Sequence, residues 1–103
     1  MTVSINDVVD SLVRRGFYNG SINMDDAQTQ VDAVIEELGE VARVLRRWRQ
    51  GVDSLDMPRL QSESVDTVIA SICLASFICG DELNSVMLGK MQKDEQRGWR
   101  HGG

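Results

Sequence analysis

An all-α fold, a bundle of four helices, follows from three features of this chain. Hydrophobic residues make up 42% of the sequence and aromatics only 5%, so the core is mostly aliphatic. The single proline, Pro58, falls between helical segments rather than inside one. Glycines at 16, 20, 51, 80 and 98 divide the chain into stretches whose apolar residues recur at helical spacing. A chain of 103 residues forms one domain, spanning residues 1–103.

The first helix is expected from about Ser4 to Arg15, with Ile5, Val8, Val9 and Leu12 on one face. The second runs from about Asp25 to Gln50. Asp25 can cap it, and Gln28 stands three residues later as in a capping box. Val31, Ile35, Leu38, Ala42 and Leu45 repeat there at alternating spacings of four and three, a heptad-like seam suited to helix packing. The third helix begins near Pro58, a residue suited to a first turn, and stops at Gly80. It is apolar nearly all round, more than a small domain covers by itself, which predicts a subunit interface. Its apolar stretch from Val65 to Cys79 is too short for a membrane span and reads as a buried helix. The fourth helix runs from about Asp81 to Arg97 and ends at Gly98, followed by a mobile tail over residues 98–103.

The net charge of −5 argues against a nucleic-acid partner held through a broad basic surface. Cys73 and Cys79 have neither metal-ligand nor redox-motif spacing, and they read as reduced core residues of a cytoplasmic protein. No secretory signal is expected at the N-terminus, and no membrane association.

Two short acidic clusters carry the chemistry. Glu36-Glu37-Leu38-Gly39-Glu40 reads E-E-x-x-E, and Glu63-Ser64-Val65-Asp66 reads E-x-x-D. A helix turns about 100° per residue, so Glu36, Glu37 and Glu40 share one arc, while Glu63 and Asp66 lie about 60° apart. If the two helices pack together, up to five carboxylates converge, and that density of like charge calls for a cation or a proton. The simpler account is a solvent-facing polar side, which suits Glu82 and Glu95. Against it here, Val41, Val44, Thr67 and Ala70 stand four residues on from the acids, where a solvated face would place Lys or Arg. Carboxylates are hard ligands and the chain has one histidine, so Mg²⁺ or Mn²⁺ fits and zinc does not. Such an ion shares its shell with phosphates, which points to phosphoryl chemistry.

E-E-x-x-E, then 22 residues, then E-x-x-D on apolar helices resembles the MazG-like branch of the all-α NTP pyrophosphohydrolases. That superfamily also holds dimeric dUTPases and phosphoribosyl-ATP pyrophosphohydrolases. The resemblance covers roughly residues 25 to 100. It implies a helical bundle assembled as a homodimer or homotetramer. It also implies Mg²⁺-dependent cleavage of nucleoside triphosphates to monophosphate and pyrophosphate, in control or sanitising of the nucleotide pool. The implied metal ligands are Glu37, Glu40, Glu63 and Asp66. Glu36 is implied as the catalytic residue that contacts a second metal or deprotonates the attacking water. Two rivals stand beside this reading: a hydrolase of another diphosphate-linked nucleotide, such as phosphoribosyl-ATP or an alarmone, and a non-catalytic helical oligomer that binds partners.

Lys90, Lys93, Arg97 and Arg100 form one stripe of the fourth helix. A solvated basic face near a helix C-terminus accounts for it when taken alone. Beside the acidic motifs, Lys90, Lys93 and Arg97 become candidate ligands of substrate phosphates. The resemblance implies the same through a K-x-x-x-N-x-x-R pattern, in which Asp94 here replaces the usual Asn. Asp94 then serves to hold Lys90 or Arg97, and Arg97-Gly98-Trp99-Arg100 is a candidate closing segment. Arg43, Arg46, Arg47 and Arg49 crowd the end of the second helix, where dipole complementarity explains them and an interface or phosphate contact is the alternative. Trp48 is expected in core or interface packing, with a base contact as the alternative. Phe17-Tyr18-Asn19 can border a nucleobase pocket. Gly39, unfavourable in a helix, is explained by close approach of another helix or a ligand.

Overall fold

The computed structural model describes residues 1–97, and every regular element among them is helical. The elements are α1 (Ile5–Arg14), α2 (Met24–Arg49), α3 (Met57–Cys79) and α4 (Leu83–Arg97), with a 3-10 turn, Gly80–Glu82, joining the last two. The tail expected to be mobile, and the idea that Gly98, Trp99 and Arg100 close over a ligand, lie outside the described residues.

Local chemistry sets each boundary. Ser4 caps α1 through a reciprocal box with Asp7. Asn23, not Asp25, caps α2: its Oδ1 accepts from the Asp26 backbone N–H at 3.0 Å. Asparagine reaches the open N–H groups of the first turn as well as aspartate does, and Asn23 sits one step before the helix while Asp25 lies inside it. Asp56 caps α3 ahead of Pro58. Gly80 ends α3 at φ +57°, and a Cβ there would come within 2.9 Å of Ile22 Cγ1, so side chains are excluded on two counts.

Helix α3 is the centre of the molecule. The long antiparallel partner α2 packs along it, and α1 also packs against it. The core gathers at one end of this hairpin, where Leu12, Tyr18, Ala27, Cys73 and Phe77 are buried together. The Tyr18 and Phe77 rings meet edge to face with centroids 5.3 Å apart. The α1–α2 loop is tied down by a 2.9 Å hydrogen bond from Asn23 N–H to the Phe77 carbonyl.

Four helices form, but α4 does not close a bundle. Leu83 anchors its first turn, while Val86, Leu88 and Met91 are exposed, and α4 has no substantial packing on α1 or α2 among the described residues. The radius of gyration, 16.1 Å, exceeds the roughly 13 Å of a compact chain of this length.

The seam expected to pack α2 faces outward. Ile35 is 61% and Leu38 55% exposed, and Val31 and Leu45 are also exposed. The face turned toward α3 lies roughly 90° around the helix and carries Ala27, Gln30, Val34, Glu37, Val41 and Val44. Two of those positions are polar, which is why the stripe with stronger apolar character was the more visible one. Helix α3 likewise is not a buried helix: only Cys73, Ser76 and Phe77 are buried, and Val65, Val68 and Ile78 are exposed. Counted through the 3-10 turn, the helical stretch Met57–Arg97 is long and apolar enough to cross a membrane by length and composition alone. The apolar stretch Val65–Cys79 is too short by itself, but the helix extends beyond it at both ends. Along its length, however, α3 carries α2, whose outer side is studded with Asp, Glu and Arg, and such a pair is poorly suited to lipid.

Candidate metal centre

Midway along the α2–α3 hairpin the inward face of α2 presents Glu37, and α3 presents Glu63 and Asp66 one turn apart. Carboxylate oxygens of these three residues lie within 4.8 Å of one another. Glu37 and Glu63 are half-buried and Asp66 is exposed, so the group opens to solvent on one side. Burial, with the nearby charges of Asp66, Glu63, Glu36 and Glu40, pushes the Glu37 carboxyl above its ordinary value. The nearest basic group is Arg59, whose Nε stands 3.8 Å from Glu63 Oε1. Otherwise the cluster has no counter-charge within ion-pair distance among the described residues.

Three of the five expected acids therefore converge. Glu40 is half-buried one turn further along α2, outside the group of three, and Glu36 is exposed. Both lie near enough for their charge to act on Glu37. The stripe Lys90, Lys93 and Arg97 is elsewhere: about 20 Å of α3 separates Asp66 from the junction with α4, and α4 does not fold back. There, Lys90 Nζ and Arg97 Nη2 both donate to Asp94 Oδ1, the latter at 3.0 Å.

A cleft of about 310 Å³ leads from the carboxylates toward the core. Glu37 and Asp66 stand at one end of its lining, and Phe17, Gln30 and Cys73 at the other. Phe17 is 56% exposed, with the Arg15 guanidinium 4.8 Å from its ring centre. Gln30 Nε2 donates to the Ala70 carbonyl at 3.1 Å, which fixes an amide at the cleft wall. Its sequence signal was a polar residue inside the apolar register of α2, visible only once that register is known. Tyr18 does not border the cleft but belongs to the core, and Asn19 Oδ1 is occupied by Ser21. Trp48 is outside the core and exposed. Gly39 has open space where a Cβ would stand, so close approach within the chain does not account for it.

At the α2–α3 loop end, a second cleft of about 500 Å³ is lined by Arg43, Arg47 and Arg59, together with Val44, Asp53, Ser54 and Asp56. Arg47 Nε binds Asp53 at 2.6 Å, which holds the Asp53 carboxyl below its usual range. Comparison of the chain with models of protein families, with curated proteins and with solved structures gives no match.

Proposed function

We propose that this chain is a Mg²⁺-dependent nucleoside triphosphate pyrophosphohydrolase of MazG-like type, releasing a monophosphate and pyrophosphate. The observation that carries the proposal is the meeting of Glu37, Glu63 and Asp66 from two helices at the mouth of a cleft. At 4.8 Å, two carboxylates repel by about 3.5 kcal/mol at an effective dielectric of 20 and by about 0.9 kcal/mol in bulk water. A fold that holds three such groups together across a helix interface gains from a cation there. The donor set, oxygen only and open on one side, fits Mg²⁺ or Mn²⁺.

Glu37, Glu63 and Asp66 would hold the ion, with Glu40 the further ligand that the resemblance implies. When bound, Mg²⁺ offsets polyphosphate charge and polarises a phosphoryl oxygen. Glu36, which the resemblance implies as a base for water, is exposed next to Glu37, and its charge acts on that carboxyl. Phe17 offers a stacking face for a nucleobase and Gln30 an amide edge to read it.

Self-association as a homodimer or homotetramer is part of this proposal. The outward stripe of α2, with Val65, Val68 and Ile78 of α3 and the apolar side of α4, forms the kind of surface that oligomers cover. Lys90, Lys93 and Arg97 would reach phosphates only across such an assembly. Both cysteines are free thiols, which supports a reducing, cytoplasmic setting. The exposed apolar faces also favour the second reading, an oligomeric interaction module without catalysis. Pyrophosphate release, measured with Mg²⁺ across ribo- and deoxyribonucleoside triphosphates, separates the two. Turnover that disappears in Glu63→Gln supports the enzyme; no release from any of them, with phosphoribosyl-ATP and alarmones also inert, eliminates it.

A further inference from the structure

The basic cleft at the loop end of the hairpin has no role in the account above. Three arginines converge there, from the last turns of α2 and the first turn of α3. Arg47 lies in the last turn of α2, where a cation complements the helix dipole, and Arg43 stands a turn earlier. Arg59 does not have that explanation. It lies in the first turn of α3, the end at which a positive charge is disfavoured. The acids in the cleft are already engaged: Asp53 pairs with Arg47, and Asp56 accepts from the Arg59 backbone N–H. Arg43 has no ion pair among the described residues, and Arg59 reaches only Glu63, at 3.8 Å.

That last contact joins the cleft to the carboxylate group. Along α2, Gln30 stands about 10 Å on one side of Glu37 and Arg43 about 9 Å on the other. Along α3, Arg59 stands about 10 Å from Asp66 in the same direction. Two clefts, bridged by the Arg59–Glu63 contact, thus set an aromatic and amide end, a carboxylate centre and a guanidinium end in that order along the hairpin. That order matches a nucleotide laid lengthwise: base, then the phosphates nearest the sugar, then the terminal phosphates.

We propose that Arg43, Arg47 and Arg59 form the terminal-phosphate site, which binds the pyrophosphate unit of the substrate and holds the pyrophosphate product. This rests on the polyphosphate reading given above, and it assigns to one protomer a task the sequence assigned to Lys90, Lys93 and Arg97. Guanidinium groups bind phosphate oxygens in pairs, and three of them around one cleft suit a diphosphate better than a single phosphate.

The test uses the full chain with saturating Mn²⁺ and inorganic pyrophosphate as the titrant in a calorimeter. Mn²⁺ uptake is measured first in every variant, and circular dichroism verifies the fold. The wild type takes up pyrophosphate, and Arg14→Gln, which removes a remote charge from α1, binds it equally well. Arg43→Gln and Arg59→Gln each weaken it about tenfold or more, as expected for loss of a charge-assisted contact. Both variants lose affinity for a nucleoside triphosphate in the same proportion, while nucleoside monophosphate affinity is kept. Wild-type affinity for pyrophosphate in Arg43→Gln and Arg59→Gln overturns the assignment, as does a loss confined to Lys90→Gln, Lys93→Gln and Arg97→Gln. Absence of Mn²⁺ uptake by the wild type is a different result, since it removes the metal-dependent reading itself.

Discussion

Glu37→Gln gives the sharpest account of what the carboxylate group is for. Glu37 takes part in two of the three close pairs formed with Glu63 and Asp66. Each pair is worth between about 0.9 and 3.5 kcal/mol of repulsion, depending on the dielectric. Asp66 is exposed, so the lower part of that range applies. Without metal, the neutral amide removes both pairs and should therefore stabilise the protein by about 1.7 kcal/mol, a rise of roughly 7–14 °C in Tm for a domain of this size. With a divalent cation the order reverses. A site filled at a hundred times its Kd adds about 2.7 kcal/mol to the wild type, and the variant forfeits most of it. Thermal unfolding at fixed protein concentration and low salt, in EDTA and then across a Mn²⁺ titration, should show the two curves crossing. If Mn²⁺ raises both proteins equally, or leaves both unmoved, the carboxylates are ordinary surface charges and the metal reading is wrong.

Three further outcomes are expected. The Glu37 carboxyl is held above its ordinary value by burial and by four neighbouring acids, so its contribution to stability is present at low pH and lost as pH rises through that raised value. Metal-free wild type should gain Tm as the pH falls from 7 toward the ordinary carboxyl range, and Glu37→Gln should lack this component of the slope. Identical pH profiles for the two proteins would remove the argument for electrostatic strain. Phe17→Ala should raise KM for nucleoside triphosphates by roughly tenfold, within the 1–3 kcal/mol range of base stacking, and leave pyrophosphate binding unchanged; an unaltered KM would exclude Phe17 from the base site. If the proposed self-association holds, Leu38→Glu, at an exposed apolar position of α2, should give a smaller species than the wild type in light scattering. A wild type that is already monomeric at micromolar concentration would overturn the proposed self-association.

Helix positions were legible in the sequence because their signals are local. Capping residues, Pro58 and Gly80 act within a few residues of themselves, and α1, α2, α3 and α4 begin and end within about two residues of expectation. The acidic pairs were legible for the same reason: spacing along one helix decides which carboxylates share a face. What the sequence did not reveal is which face of α2 meets α3. Helical periodicity shows that a stripe exists, but it is blind to the partner. The Val31–Ile35–Leu38 stripe is the more apolar and the more regular, yet Gln30, Val34 and Glu37 face α3. The cap at Asn23 was missed because Asp25 and Gln28 satisfy the same local pattern two residues later.

By itself, then, the sequence determined an all-helical chain, its breaks, and two sets of acids each aligned on its own helix. Only the tertiary structure decided that Glu37, Glu63 and Asp66 meet while Glu36 stays outside. It also decided that Arg59 links that group to Arg43 and Arg47, and that α4 carries Lys90 away from it. The physical reason is one of range. Backbone hydrogen bonds and caps act over three or four residues, whereas the rotation of one helix against another is chosen by the summed packing of both, and no single segment of sequence contains that sum.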